Sequence, residues 1–178
     1  DSPSGVDLAK LKYEVQAQVS AVHGAPLRDR SFARIHQLSA LASRFTPLVN
    51  TFARLWPTRW LLEHIAGIAP RRPLPLLASQ RFGHWWSGRG KNLDPAPRGE
   101  VVYLVDTFTE YFHPEVGQAA VRVLEALGYS VTVMSQLRCC GRPAISKGQL
   151  GLARGWAEEN IAQLEPLARQ GVPIVGTE

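Results

Sequence analysis

The sequence has few cysteines and no long apolar segment, and each absence excludes a class of protein. Its 178 residues contain two cysteines, the neighbours Cys139 and Cys140, so a secreted scaffold held by several disulfides is excluded. No apolar run approaches the roughly 20 residues that a transmembrane helix needs, and no signal peptide opens the chain. No glycine-rich loop follows the first predicted strand, so the dinucleotide-binding fingerprint is absent. These absences predict a cytoplasmic globular protein, or a piece of one.

Charge and sequence periodicity divide the chain into parts. Residues 1–98 hold 14 Lys or Arg against 6 Asp or Glu, whereas residues 99–178 hold 6 against 9. Apolar residues recur at helical spacing up to residue 65, Pro and Gly dominate the next stretch, and β-branched runs then alternate with helical patterns. We therefore expect a helical leader over 1–68, a Pro/Gly-rich linker over 69–98 and an α/β domain over 99–178.

The basic first part allows three interpretations of its partners. Three helical stretches are predicted, over 6–22, 32–45 and 49–65, with arginines and tryptophans along them. No nucleic-acid-binding signature is present, so a nucleic-acid partner is not expected. Contact with an anionic membrane or another protein surface stays open as an alternative. The preferred interpretation is that the arginines line solvated helix faces while the tryptophans pack.

The second part predicts a parallel sheet with helical crossovers. Strands are expected at 101–105, 131–134 and 172–175, with a helix from Pro114 that ends at Gly128 and a helical stretch over 146–169 that bends near Gly155 and breaks at Pro166. The apolar face of the first helix is expected to be Val116, Ala119, Ala120, Val123, Leu124 and Leu127. The fold class is therefore α/β, a short parallel β-α-β-α-β sheet behind a helical, proline-rich leader.

Three segments are expected to meet at one edge of this sheet. The carboxyl ends of the strands lead into 106–108, 139–141 and 176–178, and ligand sites in open parallel sheets form outside these ends. The segment 139–141 carries both thiols, which suit an iron–sulfur cluster or another soft metal when deprotonated. The alternative is a pair of small buried apolar side chains. Two thiolates cannot complete a four-ligand site, so other ligands would come from elsewhere.

Two motifs in this region resemble those of a known family. The motifs are Cys139-Cys140-Gly141-Arg142-Pro143, followed by Ile145-Ser146-Lys147-Gly148, and the upstream stretch 106–117, which reads DTFTEYFHPEVG. They resemble the cysteine-rich CCG domain of heterodisulfide reductase, anaerobic glycerol-3-phosphate dehydrogenase and glycolate oxidase subunits. The whole chain is similar to the C-terminal region of FAD-linked, iron–sulfur D-2-hydroxyacid dehydrogenases. Within that similarity, residues 2–12 resemble the end of a ferredoxin-like segment.

The chain departs from the full CCG pattern at two ligand positions. That pattern has one cysteine before the Cys-Cys pair and a Cys-x-x-Cys after it. Thirty-one residues separate Thr107 from Cys139, and Thr107 stands where the first cysteine belongs. Thirty-six residues separate Gly141 from Glu178, which holds the next cysteine position. The resemblance thus implies Cys139 and Cys140 as candidate cluster ligands, with Thr107 and Glu178 at weakened ligand positions and no catalytic residue in the chain.

The resemblance further implies cofactors and partners. It implies a longer parent protein that oxidises a 2-hydroxyacid with FAD and passes the electrons through iron–sulfur clusters to an acceptor such as a quinone or an electron-transfer protein. The flavin and ferredoxin-like domains of the parent chain are the expected partners. We expect this chain to be a fragment without turnover of its own, cytoplasmic or peripheral at the inner face of the membrane. Two alternatives stay open: a cluster-free structural or docking domain that keeps the CCG fold, and a thiol redox switch.

Overall fold

The computed structural model describes residues 7–69, 71, 73–90, 96–134 and 137–177. Five α-helices come first: α1 Leu8–His23, α2 Leu27–Ala33, α3 Ile35–Ala42, α4 Thr46–Arg54 and α5 Trp56–Ala66. A short 3₁₀ helix, Ser43–Phe45, lies between α3 and α4. A single helix, α6 Phe82–Gly88, follows them. The remainder is β1 Glu100–Leu104, α7 Thr107–Tyr111, α8 Pro114–Ala126, β2 Ser130–Met134, α9 Arg142–Ser146, α10 Leu150–Arg169 and β3 Ile174–Gly176.

The three strands form an all-parallel sheet in the order β2-β1-β3, which confirms the predicted fold class. β1 lies in the centre, with Val101 opposite Val131 on one side and Val102 opposite Ile174 on the other. Val101, Val102 and Tyr103 are buried, as expected for a strand covered on both faces. The central position of β1 places the residues after it between the segments that follow the two outer strands.

The apolar face of α8 differs from the prediction. Val121 and Gly117 are buried, whereas Val116, Val123 and Leu127 lie exposed on the helix surface. Val121 packs with Phe82 and Tyr103 in the core over the sheet, and Ala120 and Leu124 contact the same cluster. The prediction was therefore right at Ala120 and Leu124 and wrong at the exposed positions. The reason is that Gly117 has no side chain, which lets α6 and α7 approach the helix on that side.

The helical stretch after the cysteines also differs from the prediction. Its break lies at residues 147–149, between α9 and α10, and α10 continues through Gly155 and Pro166. Pro166 lies three residues before the last residue of α10, so its missing N–H interrupts the hydrogen-bond ladder only near the helix end. The turn between α9 and α10 is made by Gly148, whose φ is +68°.

The segment 69–98, expected to be a linker, contributes to the core over the sheet. Within it, α6 places the fully buried Phe82 against Tyr103, and Trp85 and Trp86 pack on the same cluster. The division into leader, linker and domain stays a prediction. The packing of α6 shows that the Pro/Gly-rich stretch contains an ordered helix held by its aromatic residues.

Helix α2 contacts the α/β part through a second core. Ala33 of α2 is fully buried in a cluster with Cys139, Ala144 of α9, and Ala153 and Trp156 of α10. Helix α1 begins at an Asp7 cap and has no buried residue of its own. None of the helices in the described ranges is long and apolar enough to cross a membrane.

Candidate functional site

The carboxyl ends of the strands meet at a cavity of about 260 Å³, as the sequence predicted. Its lining includes Asp106 and Thr107 after β1, the pair Cys139 and Cys140 after β2, and Thr177 after β3. Glu178, the other predicted ligand position, lies outside the described residues. The parallel topology thus brings both thiols beside the Thr107 position, although 31 residues separate them along the chain.

The two adjacent thiols occupy different environments. Cys139 is buried in the core with Ala33 and Trp156, whereas Cys140 is exposed. The two side chains are not joined by a disulfide. Gly141 follows them with φ +85°, a conformation that favours glycine, and directly precedes helix α9. The turn therefore directs one thiol into the protein and leaves the other at the surface.

Thr107 contacts the buried thiol directly. Its side chain is 5% exposed, and its hydroxyl donates a hydrogen bond to Cys139 Sγ at 3.6 Å. Asp106 fixes the start of α7, because its Oδ1 accepts from the backbone N–H groups of Phe108 at 2.7 Å and Thr109 at 3.1 Å. The capping carboxylate therefore holds the turn that aims Thr107 at the sulfur.

His36 of α3 is a site residue that the sequence did not predict. Its Nδ1 lies 3.1 Å from Thr107 Oγ1, and its ring makes an edge contact with Tyr111 at 5.4 Å. Burial, followed by the charge of Arg138, lowers the pKa of His36 below its usual value. The contact joins residues 71 positions apart, so no local motif in the sequence could have signalled it.

A second group of polar side chains lies beside the cavity. Tyr103 Oη is 2.9 Å from Thr177 Oγ1, and Thr109 Oγ1 donates to Asp106 Oδ2 at 2.5 Å. The two threonine hydroxyls are 3.5 Å apart. Burial raises the pKa of Tyr103, which keeps its phenol protonated in this network. The network joins β1, α7 and the residue after β3, so it stabilises the edge at which the site forms.

Arg138 and Asn160 form the outer wall of the cavity. Arg138 pairs with Glu159 at 2.6 Å, and its backbone N–H and carbonyl bond the side-chain amide of Asn160 at 2.7 and 3.0 Å. These contacts attach the residue before Cys139 to helix α10. The backbone of the thiol loop is therefore held from one side by α10 and from the other by the core.

A neighbouring cavity of about 290 Å³ shares the His36 wall. Arg81, Glu110 and Tyr111 contribute its charged and polar lining. Burial raises the pKa of Glu110, against the opposing effects of the Gly83 N–H and the Arg81 charge. Glu110 accepts the Gly83 hydrogen bond at 2.9 Å. His36 thus separates the thiol cavity from a more polar one.

The described residues do not complete a site for the iron–sulfur cluster that the resemblance implies. Such clusters are held by four protein ligands, which are usually thiolates. Cys139 and Cys140 are the two thiols of the chain, and no group of three or more His, Cys, Asp or Glu side chains in the described ranges is arranged to hold a metal ion. The Thr107 hydroxyl is directed to Cys139 instead. A cluster at this edge would need ligands from outside the described residues.

Comparisons with known proteins found a family match within the α/β part and relatives that match most of the chain. Residues 103–176 match the CCG family, described as a cysteine-rich domain. The chain is 28% identical to the matching subunit of the anaerobic glycerol-3-phosphate dehydrogenase of Escherichia coli, over 98% of its own length and 44% of that protein. It is 28% identical to D-2-hydroxyglutarate dehydrogenase of the same organism, over 86% of this chain and 16% of that protein.

A third relative matches a shorter stretch of the chain. One subunit of the CoM/CoB fumarate reductase of Methanothermobacter marburgensis is 32% identical over 46% of this chain and 17% of its own length. No solved structure matches the chain. The chain therefore spans less than half the length of these relatives, which are dehydrogenase and reductase proteins. Residues 103–176 are similar to the CCG cysteine-rich domain.

Proposed function

We propose that this chain is the electron-transfer region of a flavin- and iron–sulfur-dependent oxidoreductase of the D-2-hydroxyacid dehydrogenase type. The observation that carries the proposal is the convergence of Thr107, Cys139 and Cys140 at the carboxyl edge of a CCG sheet. The relatives named dehydrogenase or reductase support the same class of reaction. FAD and the remaining iron–sulfur groups are proposed to lie in other parts of the parent protein.

Cys139 and Cys140 are the side chains that we propose for contact with an iron–sulfur group. Thiolates are the usual ligands of such groups, and the two sulfurs lie beside a cavity open at the sheet edge. The further ligands would be supplied by polypeptide outside the described residues. Cys139 is buried in the core, whereas Cys140 is exposed at the surface.

A second candidate function is a cluster-free domain that keeps the CCG fold and connects the cofactor-carrying domains. The hydrogen bond from Thr107 to Cys139 favours it, because a hydroxyl replaces a thiolate at this position and bonds the neighbouring sulfur. Both candidates place the chain in the same class of oxidoreductase and differ in whether the thiols hold metal.

Anaerobic iron–sulfur reconstitution of the full-length parent separates the two candidates. Wild type, Cys139→Ser, Cys140→Ser and the double variant are compared for iron, acid-labile sulfide and reduction of an artificial acceptor by D-2-hydroxyacids. Loss of one cluster equivalent and of acceptor reduction in the double variant supports the ligand role. Full metal content with undiminished acceptor reduction in that variant contradicts it and supports the cluster-free domain. The single variants serve as controls for each other, since one thiol is buried and the other exposed.

The exposed apolar residues of α1 support contact with another domain of the parent. Helix α1 has no buried residue, and its apolar side chains are at least half exposed: Leu8, Leu11, Val15, Val19 and Val22. A contiguous apolar helix face is typical of a surface that a partner covers. The ferredoxin-like and flavin domains are the proposed partners.

The proposed location is the cytoplasm, with peripheral contact at a membrane. The exposed Trp56 and Trp60 support this contact, because they lie close in sequence to Arg54 and Arg59.

A further inference from the structure

Thr107 has hydrogen-bond partners on two sides. Its hydroxyl donates to Cys139 Sγ at 3.6 Å, and its oxygen lies 3.1 Å from Nδ1 of His36. The residue is buried at the first position of α7, directly after the Asp106 cap. A hydroxyl has one proton, so Thr107 cannot donate to both neighbours at once. Its contact with His36 must use the oxygen as the acceptor.

The proton arrangement of His36 follows from that limit. If Thr107 donates to the sulfur, Nδ1 of His36 carries a proton and donates it to Thr107 Oγ1. The lowered pKa of His36, caused by burial and then by Arg138, favours the neutral ring with a single proton. The neutral His36 is then the tautomer protonated on Nδ1. The ring is held in place from its other side by Tyr111.

We infer that His36 and Thr107 are positioning residues for Cys139, joined in a directed chain in which His36 Nδ1–H donates to Thr107 and Thr107 donates to the sulfur. In this hydrogen-bond chain, Thr107 acts as a hydrogen-bonding residue at the position where the CCG pattern has a cysteine ligand. The hydrogen-bond chain also makes the first part of the protein a component of the CCG site, since His36 comes from α3. The inference deepens the proposed function by naming what holds its buried thiol, and it rests on that function only in treating Cys139 as a functional thiol of the site.

The surroundings of the three side chains hold this hydrogen-bond chain in place. Cys139 is held in the core by its contacts with Ala33, Ala144 and Trp156, so its sulfur has little freedom to move away from Thr107. Thr107 is fixed by the capped turn, and His36 by the edge contact with Tyr111. Removal of the sulfur acceptor therefore leaves the Thr107 hydroxyl free to rotate toward His36. Its proton would then face Nδ1, and the ring would carry its own proton on Nε2.

Nuclear magnetic resonance of the histidine rings tests the inference. Protein labelled with ¹⁵N-histidine is examined in long-range ¹H–¹⁵N spectra at neutral pH, and His36 is assigned by the loss of its signals in His36→Gln. Wild type is expected to show the pattern of a neutral ring protonated on Nδ1. Cys139→Ala is expected to move the proton to Nε2, because the Thr107 hydroxyl then donates to Nδ1. Cys139→Ser, which keeps an acceptor atom, is expected to retain the wild-type pattern.

A second pair of variants tests Thr107, the middle residue of the hydrogen-bond chain. Thr107→Val removes the hydroxyl at almost constant shape and is expected to lose the Nδ1–H pattern, whereas Thr107→Ser is expected to keep it. A wild-type ring protonated on Nε2, or a Cys139→Ala spectrum identical to wild type, overturns the inference. If Thr107→Val fails to fold, the Cys139 pair still decides. The spectra do not depend on turnover or iron content, so this result and the reconstitution experiment can fail separately.

Discussion

Gly117 lies where α8 is closest to α6 and α7, and it has no room for a side chain. A Cβ at this position would lie 2.6 Å from Thr109 Cγ2 and 2.8 Å from the Phe82 ring. Both neighbours are buried, so neither can move without disturbing the core over the sheet. Gly117→Ala is therefore expected to lower the free energy of unfolding by about 1–3 kcal/mol in urea denaturation.

Gly155 offers the matched control for this substitution. It lies inside α10, and apart from its chain neighbours and the adjacent backbone of its own helix no heavy atom lies within 4 Å of the point where a Cβ would stand, so an added methyl group meets open space. Alanine is the better helix former by about 1 kcal/mol, and Gly155→Ala is expected to raise the unfolding free energy by up to that amount. Equal effects of the two substitutions would contradict the close packing assigned to Gly117.

The half-buried carboxyl of Glu110 is expected to make stability depend on pH. Burial raises its pKa above the ordinary value of 4.5, so the group stabilises the folded state most below that pH. This contribution is lost as the pH rises through the folded-state pKa. Glu110→Gln stays neutral and keeps an oxygen for the Gly83 N–H. Its unfolding free energy, compared with wild type, is therefore expected to rise as the pH is raised from 4.5 through the folded-state pKa of Glu110, and then to level off.

Glu115 is the control for this pH series because its shift has the opposite sign. A hydrogen bond from its own backbone N–H, followed by one from His113, lowers the pKa of this exposed carboxyl. Its contribution is present above the ordinary pKa and is lost on acidification. Glu115→Gln should therefore not gain stability with rising pH. A parallel response of the two variants in urea denaturation at a series of pH values would refute the assignment for Glu110.

At the scale of elements, the Asp106 cap decides how α7 presents Thr107. Asp106→Ala removes acceptors for the N–H groups of Phe108 and Thr109 and for the Thr109 hydroxyl. The expected cost is about 0.5–2 kcal/mol of unfolding free energy, measured by urea denaturation. Asp106→Asn keeps a capping oxygen and should lose less. An asparagine variant as unstable as the alanine variant would show that the stabilisation comes from the charge of Asp106 and not from its capping hydrogen bonds.

Local sequence patterns predict some of the helices and strands and miss others. Strand positions and the start of α8 at Pro114 were predicted, because β-branched runs and an N-terminal proline are local signals. The buried face of α8 was partly missed, since Val116 and Val123 look like core residues and Gly117 does not. Helix α6 was missed because it is short and lies within a Pro/Gly-rich stretch. Its order depends on Phe82 packing against Tyr103, a contact made only in the folded chain.

At the scale of the whole molecule, the parallel sheet accounts for the part of the site that the sequence could predict. Strand order alone brings Thr107 and the thiols to one edge, so their proximity follows from topology. The position of His36 follows from how α2 and α3 dock on α9 and α7, which depends on surfaces far apart in sequence. Lys147 Nζ lies 3.2 Å from Asp29 Oδ1, and Gln149 donates to the Asp29 carbonyl in the same interface.

Gly148 sets how closely α1 approaches the α/β part. Its φ is +68°, and a Cβ there would lie 2.7 Å from the backbone atoms Gln16 C and Ala17 N of α1. Gly148→Ala therefore combines backbone strain with displacement of a helix. Since α1 has no buried residue to hold it, we expect the helix to detach while the sheet stays folded. Hydrogen exchange over residues 8–23 should accelerate at least tenfold, which corresponds to about 1.4 kcal/mol.

Gly171 provides a control that has the same strain without the close contact. Its φ is +78°, and no heavy atom lies within 4 Å of an added Cβ. Gly171→Ala is therefore expected to weaken the end of α10 and leave the exchange of α1 unchanged. Protection of the amides in β1 reports whether each variant keeps the sheet. Acceleration in α1 for both variants, or for neither, would mean that contact with Gly148 does not hold the helix against the α/β part.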